Sequence, residues 1–450
     1  MLALISAAAR AEEATLPADA PRAEPSVEES TAPEPHPWLA LGEVTAINLV
    51  VWTYDRTLGQ KVWARVSLQT WKDNLRTGFV WDGDGFSTNQ FAHPYHGSLY
   101  YTAARDNGLS FVSAIPFTLL GSVQWELFAE TEPPSINDVI NTTMGGVAMG
   151  EALYRLSSTV LDTEATGRDR FGRELTAGLI SPIRGVNRLL RGDAFRQEPT
   201  PSDWRSRALA GWGSVGYLML GDGKLLAGGK HQFFTQFALR YGDAFRGDIR
   251  RPFDAFDAHI QFTTREDSLV SHALLTGLLA AKVLVRTEQD EVRLGLSQQL
   301  SYTDTIEYEV GGQSLDVGLL HQHQLSASSK LKTVLSLKGS VLTGISSAHE
   351  GREGRNYDYG PGVGVQLRMV YARDAWDVLT LEADMSRVAV LDGAGGSHQV
   401  LTGQLQVDVP VRGGVGLGSE VNVFQHHSRF DGFPDVSKDT YELRFFLSVH

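Results

Sequence analysis

The sequence predicts an α+β protein: a transmembrane antiparallel β-barrel of about twelve strands, with an N-terminal helical domain packed in or under the barrel. Two periodicities and one length carry this. From residue 206 to the end, apolar residues recur every second position. Over residues 38–192 they recur every third or fourth. The alternating runs reach ten residues or more, whereas strands of soluble sandwiches are typically about five or six.

The C-terminal half is read strand by strand. In YELRFFLSVH, Tyr441, Leu443, Phe445, Leu447 and Val449 share one face, and Glu442, Arg444, Phe446 and Ser448 the other. In LTGQLQVDVPV, Leu401, Leu405, Val407, Val409 and Val411 oppose Thr402, Gln404, Gln406 and Asp408. QFFTQFALRY and LTLEADM repeat the pattern. Turn-rich pieces such as DGAGG (392–396), RGG (412–414) and FDGFPD (430–435) separate the runs. A strand of roughly ten residues, tilted by about 45°, is the length a bilayer requires, and a spanning sheet must close so that no edge amide is left unpaired in hydrocarbon. Apolar residues are therefore expected outside and polar ones inside. Trp212, Tyr241, Tyr302, Tyr371, Trp376 and Tyr441, near strand ends, are expected at the interfacial girdles. The chain ends on His450 where such barrels commonly end on an aromatic residue, and Phe446 falls on the inward side.

The chain has 450 residues, a net charge of −13 and no cysteine. The acidic balance argues against nucleic acid as a partner, since phosphate binding needs a basic surface. With no cysteine there is neither a disulfide framework nor a thiolate metal site. MLALISAAARA (1–11) reads as part of a signal peptide, with Ala9-Arg10-Ala11 as the small-x-small cleavage pattern. Residues 12–37 read as a disordered, acidic, proline-rich linker, residues 38–192 as the helical domain, and residues 206–450 as the barrel.

Helices are expected over 43–56, 64–76, 97–130 with a kink at Pro116, 135–157 and 172–191. On the 135–157 helix, Ser135 is the N-cap and Asp138 completes a variant of the capping box. Asn137, Asn141, Met144, Ala148, Glu151 and Arg155 line one face. Gly146 and Gly150 lie opposite, where they let another backbone come close at a cost of about 1 kcal/mol each against alanine. Glu126 and Glu130, four apart, repel each other and call for a cation, with Arg105 and Arg155 as the expected partners. Glu151 and Arg155 form a favourable pair at the same spacing.

Catalytic candidates are His93, His96, Glu126 and Glu130; Arg105, Asn137, Asp138, Asn141, Glu151 and Arg155 are candidates for a ligand site or a structural polar network. Pro94 keeps His93 extended, so His93 and His96 are expected at a loop-to-helix junction. No metal site is expected. The histidines lack the spacing of a zinc helix, and WDGDGFSTN (81–89), which offers Asp82 and Asp84, fails as a calcium loop at Phe86 and Ser87. No cofactor motif occurs in the sequence.

Three stretches carry a family resemblance: WDGDGFSTNQFAHPYHGSLYYTAARDNG (81–108), GSVQWELFAETEPPSINDVINTTMGGVAMGEALYRLS (121–157) and the weaker SPIRGVNRLLRGDA (181–194). Over roughly residues 40–195 the chain resembles the bacterial outer-membrane proteins of domain of unknown function 3943 (DUF3943). The resemblance implies a Gram-negative setting and a helical-plus-barrel layout; it transfers no activity.

The sequence thus leads to an outer-membrane protein whose partners are outer-membrane lipid and the barrel assembly machinery, and whose polar cavity binds or passes a small amphiphile, lipid or glycan. An enzyme acting on lipid or lipopolysaccharide head groups, with Arg105 and Arg155 as phosphate clamps, is the first alternative. A purely structural envelope protein is the second.

Overall fold

The computed structural model describes residues 34–450 except 205–207, 223–228, 266–267, 307 and 352–353. The expected signal peptide, and the linker up to residue 33, lie outside the described residues. Twelve strands follow one another as an antiparallel meander: β1 Leu209–Asp222, β2 Lys230–Tyr241, β3 Phe256–Thr263, β4 Val270–Arg286, β5 Asp290–Asp304, β6 Glu309–Gln324, β7 Ser329–Ser346, β8 Tyr357–Arg373, β9 Trp376–Ala389, β10 Ser397–Arg412, β11 Val415–Arg429 and β12 Val436–Val449. Each pairs with its sequence neighbour, and β1 pairs with β12 from Gly213↔Val449 to Asp222↔Thr440, so the sheet is a closed barrel. Closure leaves no edge to be solvated, as a lipid-surrounded sheet requires. The RGG turn joins β10 to β11 with Gly413 and Gly414 both at positive φ, which fits a tight hairpin.

Side chains that meet from non-adjacent strands fix the inner face. Arg240 on β2 reaches Asp377 on β9 at 2.8 Å, and Arg368 on β8 lies 3.5 Å from Asp257 on β3. Tyr308, in the β5–β6 connection, stacks on Phe424 of β11 with ring centroids 3.6 Å apart. The opposite parity is the outer face. There Leu335, Leu337, Val363, Val365, Leu405, Val409, Leu417 and Leu447 stand exposed, the apolar band expected of a wall in lipid. Four girdle expectations change. Trp212 and Trp376 pack on the His450 ring, and Trp212 lines the lumen. Tyr241 and Tyr302 are buried beneath the helical part.

The helices are α1 Pro37–Thr57, α2 Leu68–Thr77, α3 His93–Asp106, α4 Phe111–Phe128, α5 Ile136–Ile140, α6 Gly146–Val160, α7 Gly167–Ile180 and α8 Pro182–Leu190. A π-helical turn, Asn141–Gly145, joins α5 to α6 into one rod, and another, Thr88–Ala92, leads into α3. The single helix expected over 97–130 is two. Asn107 and Gly108 end α3, with Gly108 at φ +80°, a conformation glycine adopts without a Cβ clash. Pro182, at the first position of α8, similarly divides the helix expected over 172–191.

These helices lie neither in the lumen nor under its mouth. They pack on the outer face of the barrel, from the end of β2 to the start of β8. Ala148 and Ala152 of α6 meet Leu275 and Leu300, together with Tyr241 and Phe256 near the end where β1 begins. Trp81 and Phe86 meet Tyr302, Tyr357 and Tyr359 towards the opposite end. Gln298, also of outward parity, donates to the Met144 carbonyl at 2.8 Å. The physical reason is supply and demand of surface. The inner wall is occupied by mutually paired charges, while this sector of the outer wall offers aromatic and aliphatic side chains for the alanine face of α6.

Candidate functional site

Glycines set the spacing of the helices that carry the candidate residues. A Cβ on Gly146 would fall 2.5 Å from the carbonyl carbon of Gly97, and one on Gly97 only 1.9 Å from the Thr142 oxygen. Gly150 sits against the Tyr101 ring and Gly121 of α4 against the Tyr100 ring. So α3 is clasped between α6 and α4, and its polar side chains are held at close quarters, as the glycine face of the 135–157 segment led one to expect.

The first polar cluster gathers at the α3 and α5 starts. The Asn137 amide donates to Asp82 at 2.7 Å and to Asn89 at 3.0 Å, while the Asp82 N–H donates to the Asn137 oxygen at 3.2 Å. Ser135 caps α5 by accepting from the Asp138 N–H, as expected. His93 places Nε2 3.3 Å from Asp138 and Nδ1 3.3 Å from the Thr142 hydroxyl. The ligand atoms of Asp84, His93 and Asp138 all lie within 4.8 Å of one another, so the WDGDG stretch does converge with a histidine, though not in the calcium-loop arrangement. Burial acts to raise Asp82, but hydrogen bonds from Asp138, Asn137 and the Asp84 backbone outweigh it and hold Asp82 below the usual carboxylate range.

Glu126 and Glu130 do not meet the expected arginines; among the described residues neither forms an ion pair. A Glu126 oxygen accepts the Ser135 N–H at 2.8 Å, bracing the entry to α5, and Glu130 accepts from the Trp125 indole. Burial pushes Glu130 up to about 8, with Asp84 and Glu132 adding like charge and the Trp125 hydrogen bond opposing. The pair's repulsion is relieved by a proton rather than by a cation. His96 bonds the Tyr100 hydroxyl at 2.9 Å and meets the edge of Trp125, and Tyr100 in turn bonds Asn48 of α1.

Arg105 and Arg155 both serve Glu151, whose side chain is fully buried. Arg105 donates through Nε at 2.7 Å and spends Nη1 on the Leu109 carbonyl. Arg155 donates to Glu151 at 2.8 Å, to Asp254 at 2.7 Å and to the Pro252 carbonyl at 2.6 Å. Tyr101 completes the group at 3.1 Å from Glu151. All three nitrogens of each guanidinium thus donate within the protein. From Asp138 to Glu151 the rod climbs about 20 Å at 1.5 Å per residue, so the histidines and the arginines do not share one site. Asn141, between the clusters, is fully buried with both amide atoms unpaired.

Sequence reasoning missed the partners across elements: Asn89, Tyr100, Trp125, Thr142 and the barrel residue Asp254. Their signal lies in tertiary contact, which helical spacing does not encode.

The lumen is a second candidate. It holds a cavity of about 330 Å³ lined by Gln236, Gln261, Gln299, Gln366, Gln404 and Asn422, among hydroxyl side chains. Its charges are largely paired within the wall: Lys338 with Asp384 at 2.9 Å, Arg368 with Glu382 at 2.7 Å, Arg444 with Glu420 at 2.8 Å. Beside these pairs the lining offers amide and hydroxyl groups, His259 and His272, and apolar side chains such as Leu274, Val400 and Val423. The Tyr308–Phe424 stack narrows the lumen near the ends of β5 and β11.

Solved structures similar to this chain are outer-membrane channels. The NanC porin aligns at a TM-score of 0.27 and 8% identity, over 53% of this chain and 99% of its own. The KdgM porin, solved in complex with disordered oligogalacturonate, aligns at 0.24 and 8%, over 53% and 98%. The outer membrane channel DcaP of Acinetobacter baumannii aligns at 0.22 and 10%, over 54% and 96%. No curated protein matches the chain. Residues 78–183, which hold every candidate residue of the helical part, match the family described as Domain of unknown function (DUF3943), the family the sequence resembles.

Proposed function

We propose that the chain is a channel of the outer membrane of a Gram-negative bacterium, whose lumen binds and passes a small, hydroxyl-rich solute of the glycan class. The observation that carries this is the lumen lining. Its acids and bases are largely paired along the wall and across it, and the amides and hydroxyls among them hydrogen-bond sugar hydroxyls in both directions. Signal-directed export, insertion by the barrel assembly machinery and an annulus of outer-membrane lipid belong to the same reading.

Liposome swelling with neutral sugars of graded size tests it. Vesicles holding the protein are expected to swell in a monosaccharide and to resist a tetrasaccharide. Replacing both Arg240 and Arg368 by alanine removes the cross-lumen bridges and is expected to speed swelling. No swelling with either form, in vesicles containing correctly folded barrel, would rule the channel out.

A further inference from the structure

The outer faces of α1, α4, α7 and α8 turn apolar side chains outward over buried charges, the reverse of a water-soluble domain; the exposed charges of this part include Lys72, Asp73 and Arg76 on α2 and Arg168 and Asp169 at the start of α7. On α8, Arg184, Asn187 and Arg188 are 2%, 6% and 7% exposed, while Val186, Leu189 and Leu190 are 51%, 58% and 80% exposed. On α7, Phe171, Leu175 and Leu179, one turn apart, stand exposed on one face, whereas Arg170 is buried against backbone carbonyls and Glu174. α4 carries a single charge, Glu126, on its buried side; its outer face is Val112, Pro116, Leu119, Leu120 and Phe128. With 18 residues it is long and apolar enough to cross a membrane. From Trp38 to Tyr54 the outer face of α1 bears no exposed charge. In water such a surface would be costly, at about 25 cal/mol per Å² of apolar area, and far larger than the few hundred Å² a soluble monomer usually exposes.

Position identifies what covers it. These helices lie on the outer face of the barrel, on a sector reaching from Tyr241 and Phe256 near one rim to Tyr357 and Tyr359 near the other. On β6, β7 and β8, beyond the part of these strands that the helices cover, the bare wall presents Leu315, Val317, Leu335, Leu337 and Val363. A layer that replaces lipid against such a wall has the same surroundings on its far side.

We infer that the N-terminal helices are embedded in the bilayer beside the barrel, with the acyl chains of the membrane against the outer faces of α1, α4, α7 and α8. The domain is then neither a plug nor a soluble cap but a lateral helical layer of a membrane protein. Its buried ion pairs are sealed between that layer and the wall, away from lipid. The inference rests on the barrel itself lying in a membrane.

The chain has no cysteine, so single cysteines can be placed without further change. Val50→Cys, Leu119→Cys, Leu179→Cys and Leu189→Cys alter exposed side chains only, and Leu405→Cys marks the bare wall. Each is labelled with an environment-sensitive fluorophore and reconstituted in phosphatidylcholine vesicles. Brominated phosphatidylcholine quenches labels that touch acyl chains; iodide quenches those in water. The helical labels are expected to lose emission to brominated lipid by the same fraction as Leu405→Cys and to resist iodide. If iodide quenches them while Leu405→Cys answers to lipid, the layer lies in water and the inference is overturned with the barrel reading intact. If Leu405→Cys itself answers to iodide, the barrel is not in the bilayer and both are overturned.

Discussion

Gly97 and Gly146 bring α3 and α6 together so closely that a Cβ on Gly146 would lie 2.5 Å from the Gly97 carbonyl carbon. The contact is backbone against backbone, so no side-chain rotation relieves it. Gly146→Ala is expected to destabilise the helical layer by about 1–3 kcal/mol, the usual range for overpacking. Gly42→Ala on α1, where nothing lies within 4 Å, is expected to be neutral or to stabilise by up to about 1 kcal/mol. Urea unfolding followed by tryptophan fluorescence separates the two; equal effects at both positions would contradict the close crossing.

Glu151 is the carboxylate that Arg105 and Arg155 share, while Arg155 also reaches Asp254. Removing it leaves two guanidiniums in a buried site, a loss of about 3–5 kcal/mol by analogy with other broken buried pairs. Glu151→Ala is therefore expected to loosen the α6 end from the 242–255 turn, which Arg155 holds through Asp254 and Pro252. Trypsin reads this directly, because Arg246 and Arg250 sit in that turn. Faster cleavage there, with the barrel intact, is the expected result; unchanged cleavage would deny the tie.

Glu130 gives a pH dependence of definite sign. Its folded value is about 8, above the unfolded value of 4.5. Between these the folded state holds the extra proton, so the contribution of Glu130 to stability falls as pH rises from 4.5 to 8. Glu130→Gln keeps a neutral side chain and is expected to flatten this slope, matching the wild type near pH 4 and exceeding it near pH 8. Thermal melts across that range check it, and a variant less stable at pH 8 would reverse the sign.

Much of the barrel was legible because parity is a local property. Alternation in β9, β10 and β12 assigns each side chain to a face without knowledge of its neighbours. The glycines at 146 and 150 likewise announced a close helix crossing. The side of the wall that the helices occupy was hidden, because Leu275, Leu300 and Tyr302 look the same whether lipid or protein covers them. A trace does remain: Gln298 and Gln313 hold outward parity, where lipid would leave an amide unsatisfied, and both are buried under the π-helical turn before α6. The partners of Glu126 and Glu130 were misjudged for a similar reason. A spacing of four tells that two acids share a face if the helix continues, but α4 ends at Phe128, before Glu130, and spacing tells nothing of which helix comes opposite.

The outward wall in lipid and the inward wall in water are what every role above requires, and an alternating cysteine series along β10 measures both. Leu401, Leu405, Val407 and Val409 are set against Thr402, Gln404 and Gln406, each changed singly to cysteine in the membrane-inserted protein. A small charged thiol reagent is expected to modify the second set and spare the first. Modification of the first set, or of both alike, would contradict a barrel whose apolar face meets lipid.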